Sequence, residues 1–340
     1  MAESANLFAQ QEANRRKSRR VVFLFVLFFA WLGFGGDFIW YLATKNAPPA
    51  HHHIFPFVGL AMIALAIGMT GWSWFIGPSA ILWSTGARKL EDPRTDQEKQ
   101  LMNVVEEMSI ASGLPKPAVY VIDDADPNAF ATGHDANSAS LAVTTGLLAL
   151  VSRDELQGVV AHEMGHVKNL DVRLMTTLAA LVGVVALVAN GAWRFMPWGS
   201  SGRDRDEEGG SNGALVAVLF VIWIISWMLA PLVTRLLALA VSRDREYLAD
   251  ASGAQFTRNP AALASALEKI EHTDIPSSVI KGGAAHLCIA DPLGRAVSNR
   301  EGKLADLLAT HPPMAIRIAR LKAMAYRAAN NNDVSVPALG

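Results

Sequence analysis

A chain that carries four apolar stretches of about 20 residues has little freedom of architecture. A helix of that length crosses ~30 Å of hydrocarbon, and inside lipid only a helix or a closed barrel satisfies its own backbone. The stretches run over residues 21–42, 55–74, 174–193 and 214–234, each with at most one formal charge. They account for a composition that is 51% hydrophobic and only 18% charged, more apolar than a soluble core requires. The chain is therefore expected to span the membrane four times. The basic run "RRKSRR" before the first span could open a signal peptide, but the apolar run is long, keeps bulky Phe and Trp to its end and meets no small-x-small cleavage site, so an uncleaved anchor is expected. Its one titratable group, Asp37 beside "GFGGD", is tolerable only near the far interface.

Charge sets the orientation. Five basic residues between 15 and 20 place the N-terminus in the cytoplasm, and the loop between spans one and two carries a single lysine, as an outer loop should. The expected organisation is then a cytoplasmic tail (1–20), spans one and two (21–76), a first cytoplasmic segment (77–173), spans three and four with an outer loop (174–234), and a second cytoplasmic segment (235–340). The polar tail reads as disordered, as does the Gly/Ser/charge-rich loop 194–213. A net charge of −1 gives no reason to expect nucleic acid as a partner. Cys288 is alone, which rules out an intrachain disulfide and suits a small buried hydrophobe in a reducing compartment. The three adjacent histidines at 51–53 sit on a short loop and do not converge on one ion.

Between spans two and three, "DQEKQLMNVVEEMSIASG" has helical periodicity ending in Gly113, and "PAVYVID", "NAFATG" and "ASLAVTTGLLAL" read as short strands separated by turn residues. The next segment, "SRDELQGVVAHEMGHVKNLD", opens with Ser152 and Glu155 at the spacing of a capping box, which marks it as a helix. After span four, "VSRDREYLADASGAQF", "PAALASALEKIEH" and "HPPMAIRIARLKAMAYRAA" are helical patterns.

On the helix capped by Ser152, His162 and His166 are i and i+4, so both imidazoles face one ion, with Glu163 beside them toward a water that the metal acidifies to pKa ~7. A catalytic zinc site takes three protein ligands. Glu246 and Asp250, again i and i+4, supply a third ligand and a carboxylate to hold the outer N–H of a ligating histidine. Two spans separate the histidines from Glu246, and an even number returns the chain to the same face of the membrane. Asp171 reads as a partner of nearby backbone or of Arg173.

With these residues in hand, the chain resembles the HtpX-type membrane zinc endopeptidases, gluzincins related to the CAAX prenyl endoprotease. The resemblance rests on "PNAFATG" (127–133), "LAVTTGLL" (141–148), "DELQGVVAHEMGHVKNLD" (154–171), "SRDREYLADASGA" (242–254) and "THPPMAIRIARL" (310–321), in that order. It implies one Zn2+ per chain on His162, His166 and Glu246, with Glu163 as general base and Asp250 behind a ligand. It further implies Asn128 as a helper of the oxyanion, His311 as an electrophile or substrate ligand, and Arg317 as a structural partner of an acidic group.

The fold class expected is an α-helical integral membrane protein with four transmembrane helices and a cytoplasmic, mostly α (α+β) zincin metalloprotease domain with a small sheet. The activity expected is hydrolysis of peptide bonds at the cytoplasmic face of the bacterial inner membrane, with the peptide added as a strand to "NAFATG". The resemblance implies misfolded or damaged membrane proteins and unfolded polypeptides as substrates, the lipid bilayer as a partner, and cooperation with other membrane quality-control proteases. Three alternatives stay open. A prenyl-protein protease is one, a non-catalytic membrane zinc scaffold is another, and the third is a transporter or channel, disfavoured because spans three and four hold almost nothing titratable.

Overall fold

The structure, a computed structural model, describes residues 2–45, 48, 54–181, 221, 244–273, 275–280, 282–290, 292 and 312–332. Span four, most of span three and the histidines at 51–53 lie outside the described residues apart from Val221. By internal contacts the chain divides into two units, one of residues 1–17, 76–180 and 238–340, the other of 18–75 and 181–237.

The second unit contains most of α1 (Ala2–Thr44) and all of α2 (Phe57–Phe75). These two described helices are long and apolar enough to cross a membrane. They turn large apolar side chains outward, among them Phe23, Trp31, Phe38, Phe57, Ile67 and Phe75, while Phe25, Phe29, Ala66 and Met69 pack inward. An outward apolar belt of that kind suits contact with lipid. Asp37, the isolated charge of span one, accepts hydrogen bonds from the backbone amides of Val58 (3.2 Å) and Gly59 (2.6 Å). It thereby satisfies orphan donors at the start of α2, where a carboxylate also meets the positive end of the helix dipole.

In the first unit, α3 (Gly77–Ser84), β1 (Arg88–Lys89) and α4 (Asp96–Ser112) precede the sheet strands β2 (Ala118–Ile122), β3 (Ala129–Thr132) and β4 (Ser140–Thr144). The strand order is β1-β2-β4-β3, with β2 and β4 parallel and the other two pairs antiparallel, so β3 is an edge. The last of the three expected strands stops early. Thr144 caps a helix through the Leu147 amide, and residues Thr145–Leu150 form α5. The helix expected to end at Gly113 does so, with Gly113 left-handed at φ 71°.

The capping box of Ser152 and Glu155 is present at the start of α6 (Arg153–Lys168), and a further helix, α7, runs over residues 171–181. Beyond the undescribed segment come α8 (Asp244–Thr257), α9 (Pro260–Glu271), a short 3-10 helix (Gly282–Leu287) and α10 (Met314–Asn332). Leu101, Val104, Leu156, Val159, Val160, Leu267 and Leu321 fill the core between α4, α6, α9 and α10. Helices α6 and α8 meet nearly backbone to backbone. A Cβ on Gly165 would stand 3.0 Å from that of Ser252, and one on Gly253 would stand 3.1 Å from the His162 nitrogen. Cys288 is a fully buried member of an apolar cluster that includes Met175 and Ala179 of α7.

Residues 2–20 are helical, against the expectation of a disordered tail. The physical reason is docking: Gln11 donates to the Lys168 carbonyl (2.7 Å) and Asn14 to the Asn169 carbonyl (3.0 Å), satisfying the orphan acceptors at the end of α6.

Glu155 ties the start of α6 to α9. Its carboxylate accepts from the Ser152 amide (2.7 Å), Ser265 (2.6 Å) and Lys269 (2.7 Å). Burial raises its pKa, but Lys269, Ser265 and the Ser152 amide outweigh burial and hold it at about 2. A carboxyl depressed on folding contributes stability above its unfolded value, near 4.5, that is lost as pH falls toward about 2. Glu155→Gln should therefore cost about 1–2 kcal/mol at neutral pH, kept at that level by the half-exposed Lys269 end. Denaturant unfolding of both proteins should show the gap closing between pH 4.5 and 2, and a gap constant with pH would refute this account.

Candidate active site

Helix α6 presents two imidazoles from consecutive turns, their ring centroids 4.8 Å apart and their planes nearly perpendicular. Helix α8 brings Glu246 against them. Its Oε2 lies 3.7 Å from His162 Nε2 and its Oε1 lies 3.6 Å from His166 Nε2. One donor atom from each of His162, His166 and Glu246 falls within 4.8 Å of the others, the only such cluster found among the described residues. All three side chains are buried.

The nitrogens that do not face Glu246 are each held by an aspartate. Asp250 Oδ1 is 2.9 Å from His162 Nδ1, and Asp171 Oδ2 is 3.3 Å from His166 Nδ1. Such contacts fix tautomer and ring orientation, leaving the Nε2 atoms as donors to a metal. Asp250 is itself gripped by Arg317, whose Nε and Nη2 donate to its two oxygens at 3.0 and 2.8 Å. The Arg317 guanidinium is fully buried, with Nη1 3.3 Å from the Ile289 carbonyl and 3.3 Å from Glu246 Oε2. Asp171 is the residue whose place the sequence does not reveal. Leu170 adopts a left-handed conformation, φ 59°, that ends α6 and starts the next helix at once, bringing Asp171 back beneath His166. Asn14 donates to the other oxygen of Asp171 at 2.6 Å.

Four buried carboxylates (Glu163, Asp171, Glu246 and Asp250) face two buried guanidiniums, Arg245 and Arg317. Burial pushes the Glu163 carboxyl up to about 8, with Glu246 adding to the rise. Burial lowers His162 although Asp250 works against it; His166 is raised in spite of burial, by Glu246 and Asp171. Burial also works to raise Asp250, but Arg317 and His162 hold it at about 2. Two imidazole Nε2 atoms and one carboxylate, buried and convergent, are a donor set that fits a divalent cation, with Asp171 and Asp250 standing behind the two histidines.

Beside the cluster lies β3, whose Ala131 amide donates to the Glu163 carboxylate. Asn128 lies just before this strand. Its amide donates to Asp126 (3.0 Å) and to the Ala290 carbonyl (2.9 Å), and its Oδ1 accepts from the Ala129 amide (3.2 Å). With both amide protons engaged it pins the segment after the 3-10 helix to the sheet. That segment also covers the start of the strand's outer edge, Ile289 donating to the Ala129 carbonyl at 3.0 Å. At the far end of β3 the Gly133 amide donates to Thr176. A peptide pairing with β3 must therefore replace contacts the chain makes with itself. His311 lies outside the described residues.

The chain is similar to known proteins. Residues 95–325 match peptidase family M48. A Protease HtpX homolog of Thermoanaerobacter pseudethanolicus is 39% identical over 322 residues, covering 94% of this chain and 98% of that relative. One of Tropheryma whipplei strain Twist is 42% identical over 314 residues, covering 91% and 96%. Among solved structures, S. mikatae Ste24p is 19% identical with a TM-score of 0.45, covering 90% of this chain and 66% of that one.

Removing one partner of the Arg317–Asp250 pair leaves a buried charge uncompensated. Arg317→Met should lower the unfolding free energy by about 3–5 kcal/mol, measured in denaturant. Arg317→Met/Asp250→Leu should recover most of that loss, because it removes both charges. A double variant no more stable than the single one would show that the ion pair is not the cause.

Proposed function

The chain belongs to peptidase family M48 and is a metalloprotease, and on that premise we propose that it is a membrane-integral zinc endopeptidase holding one Zn2+ on His162, His166 and Glu246. The observation that carries this reading is the convergence of two histidine Nε2 atoms on the Glu246 carboxylate, with each Nδ1 restrained by its own aspartate. Three protein donors among the described residues are the set of a catalytic rather than a closed structural site.

The chemistry a zinc ion supplies in such a site is Lewis acidity, which polarises the scissile carbonyl and brings the pKa of water toward ~7. Glu163 takes the proton of the attacking water and passes it to the leaving amine. Its buried position beside the two histidines suits this role, and a bound cation would favour the ionised carboxylate that takes the proton. Asp250 and Arg317 keep the His162 ring fixed, and Asp171 does the same for His166. Asn128 holds the Ala290 segment against β3, and when the peptide displaces that segment the freed amide proton helps hold the oxyanion. The peptide lies along β3 toward Ala131, next to Glu163, after displacing the Ile289 segment from the edge. Main-chain pairing of this kind reads backbone more than side chains, so sequence specificity is low.

The outward apolar faces of α1 and α2 and the basic residues at 15–20 support an inner-membrane protein with its active site on the cytoplasmic face. A protease anchored there meets membrane proteins and their cytoplasmic loops by lateral diffusion. Misfolded or damaged membrane proteins are the substrates that fit low specificity and this location, with other membrane quality-control proteases working alongside.

Protein purified in detergent with chelator, then reloaded with zinc, tests the reading on casein. Wild type and Glu163→Gln should both bind one zinc per chain, and the variant should cleave about 10²–10⁴-fold more slowly. Equal cleavage by the two would remove Glu163 as the base. Stoichiometric zinc with no cleavage by either would favour the zinc scaffold, and cleavage confined to a prenylated peptide would favour the prenyl-protein protease.

A further inference from the structure

Asn14 stands 157 positions before Asp171 in sequence, in a stretch whose composition gives no sign of a site, yet its side chain is 3% exposed and bonded into the metal cluster. Its Nδ2 group faces two oxygens, the Asn169 carbonyl at 3.0 Å and Asp171 Oδ1 at 2.6 Å. Only a donor fits between two acceptors, so the amide nitrogen is the atom that must face them. The opposite oxygen of Asp171 faces His166 Nδ1. An amide N–H on one oxygen of a carboxylate fixes the plane in which the other can accept, and that plane sets the orientation of the His166 ring.

Gln11, one turn earlier, provides an internal comparison. It makes the same kind of bond, to the Lys168 carbonyl at 2.7 Å, and so contributes equally to capping α6. The two residues thus share the structural task of docking the N-terminal segment. Asn14 has the additional bond, to the aspartate that holds a cluster histidine.

We propose that Asn14 is a positioning residue of the metal centre, acting through Asp171 on His166, so that the segment preceding the first membrane span completes the active site. The inference rests on zinc being the ion held by His162, His166 and Glu246. Partners of this kind, one step removed from the ligand, change metal affinity by about 10- to 100-fold when lost.

The test measures zinc affinity of the full-length protein in detergent by chelator competition, together with the visible spectrum of the cobalt(II)-loaded protein, which reports ligand geometry. Asn14→Leu should weaken zinc binding about 10-fold or more and shift the cobalt bands, whereas Gln11→Leu should change neither. Combined with Asp171→Asn, it should add no further loss, because a residue that acts through Asp171 has nothing to act on once that carboxylate is gone. Should Asn14→Leu not fold, Asn14→Ala takes its place. Equal effects of the Gln11 and Asn14 variants, or losses that add in the double variant, would reduce Asn14 to a helix-capping role and overturn the proposal. Wild-type protein that binds no zinc would instead overturn the metal assignment itself, and the proposal with it.

Discussion

The arrangement of the first unit stems from one electrostatic problem: four carboxylates and two imidazoles are gathered in a place that water does not reach. Burying an ionised carboxylate is costly unless it is paired and hydrogen-bonded. Each acidic group here has a specific answer. Asp250 has Arg317, Asp171 has Asn14 and His166, and Glu163 has the Ala131 amide and a pKa displaced to about 8. Glu246, shared between the two imidazoles and Arg317, is the carboxylate that a cation would claim. The packing around the cluster serves this arrangement, since α6 and α8 approach closely enough only because Gly165 and Gly253 carry no side chain at the contact.

Local signals bring most of the site into view. His162, Glu163 and His166 are within about one helical turn of each other, and the capping box at Ser152 fixes that the segment is a helix, so the common face of the two histidines comes from periodicity. Glu246 and Asp250 emerge in the same way once a third ligand is sought. Residues that act across the chain are out of reach. Asn14 looks like part of a polar tail because its partners lie beyond two spans and more than a hundred residues. Asp171 looks like one of the last polar residues before a membrane span because nothing in the sequence announces that Leu170 will turn left-handed. How the amide protons of Asn128 are spent is likewise hidden from its local motif, since it depends on Ala290, 162 residues away.

The fold is legible where periodicity is unambiguous and less so where one apolar run has to be divided. The run 139–150 reads as a single strand, yet Thr144 has a hydroxyl that caps the Leu147 amide, and the chain turns from β4 into α5 at that residue. Composition alone does not show whether a threonine at such a junction continues a ladder or starts a helix, since it is favourable in both. Asp37 reads as a burden on its span until α2 is placed beside it, after which it is the cap that α2 lacks.

A connection between the N-terminal segment and the metal cluster has a thermodynamic consequence whatever its biological use. If docking of Asn14 on Asp171 raises the affinity for the cation by some factor, then the cation raises the stability of the docked segment by the same factor, because the two equilibria share one cycle. The segment is continuous, through Lys17, with the helix that enters span one. Loading of the cation therefore favours the docked state of the segment that carries Asn14. The site is thereby tied to its own anchor through one amide and one carboxylate, a link of about 10- to 100-fold in affinity by the scale of comparable contacts.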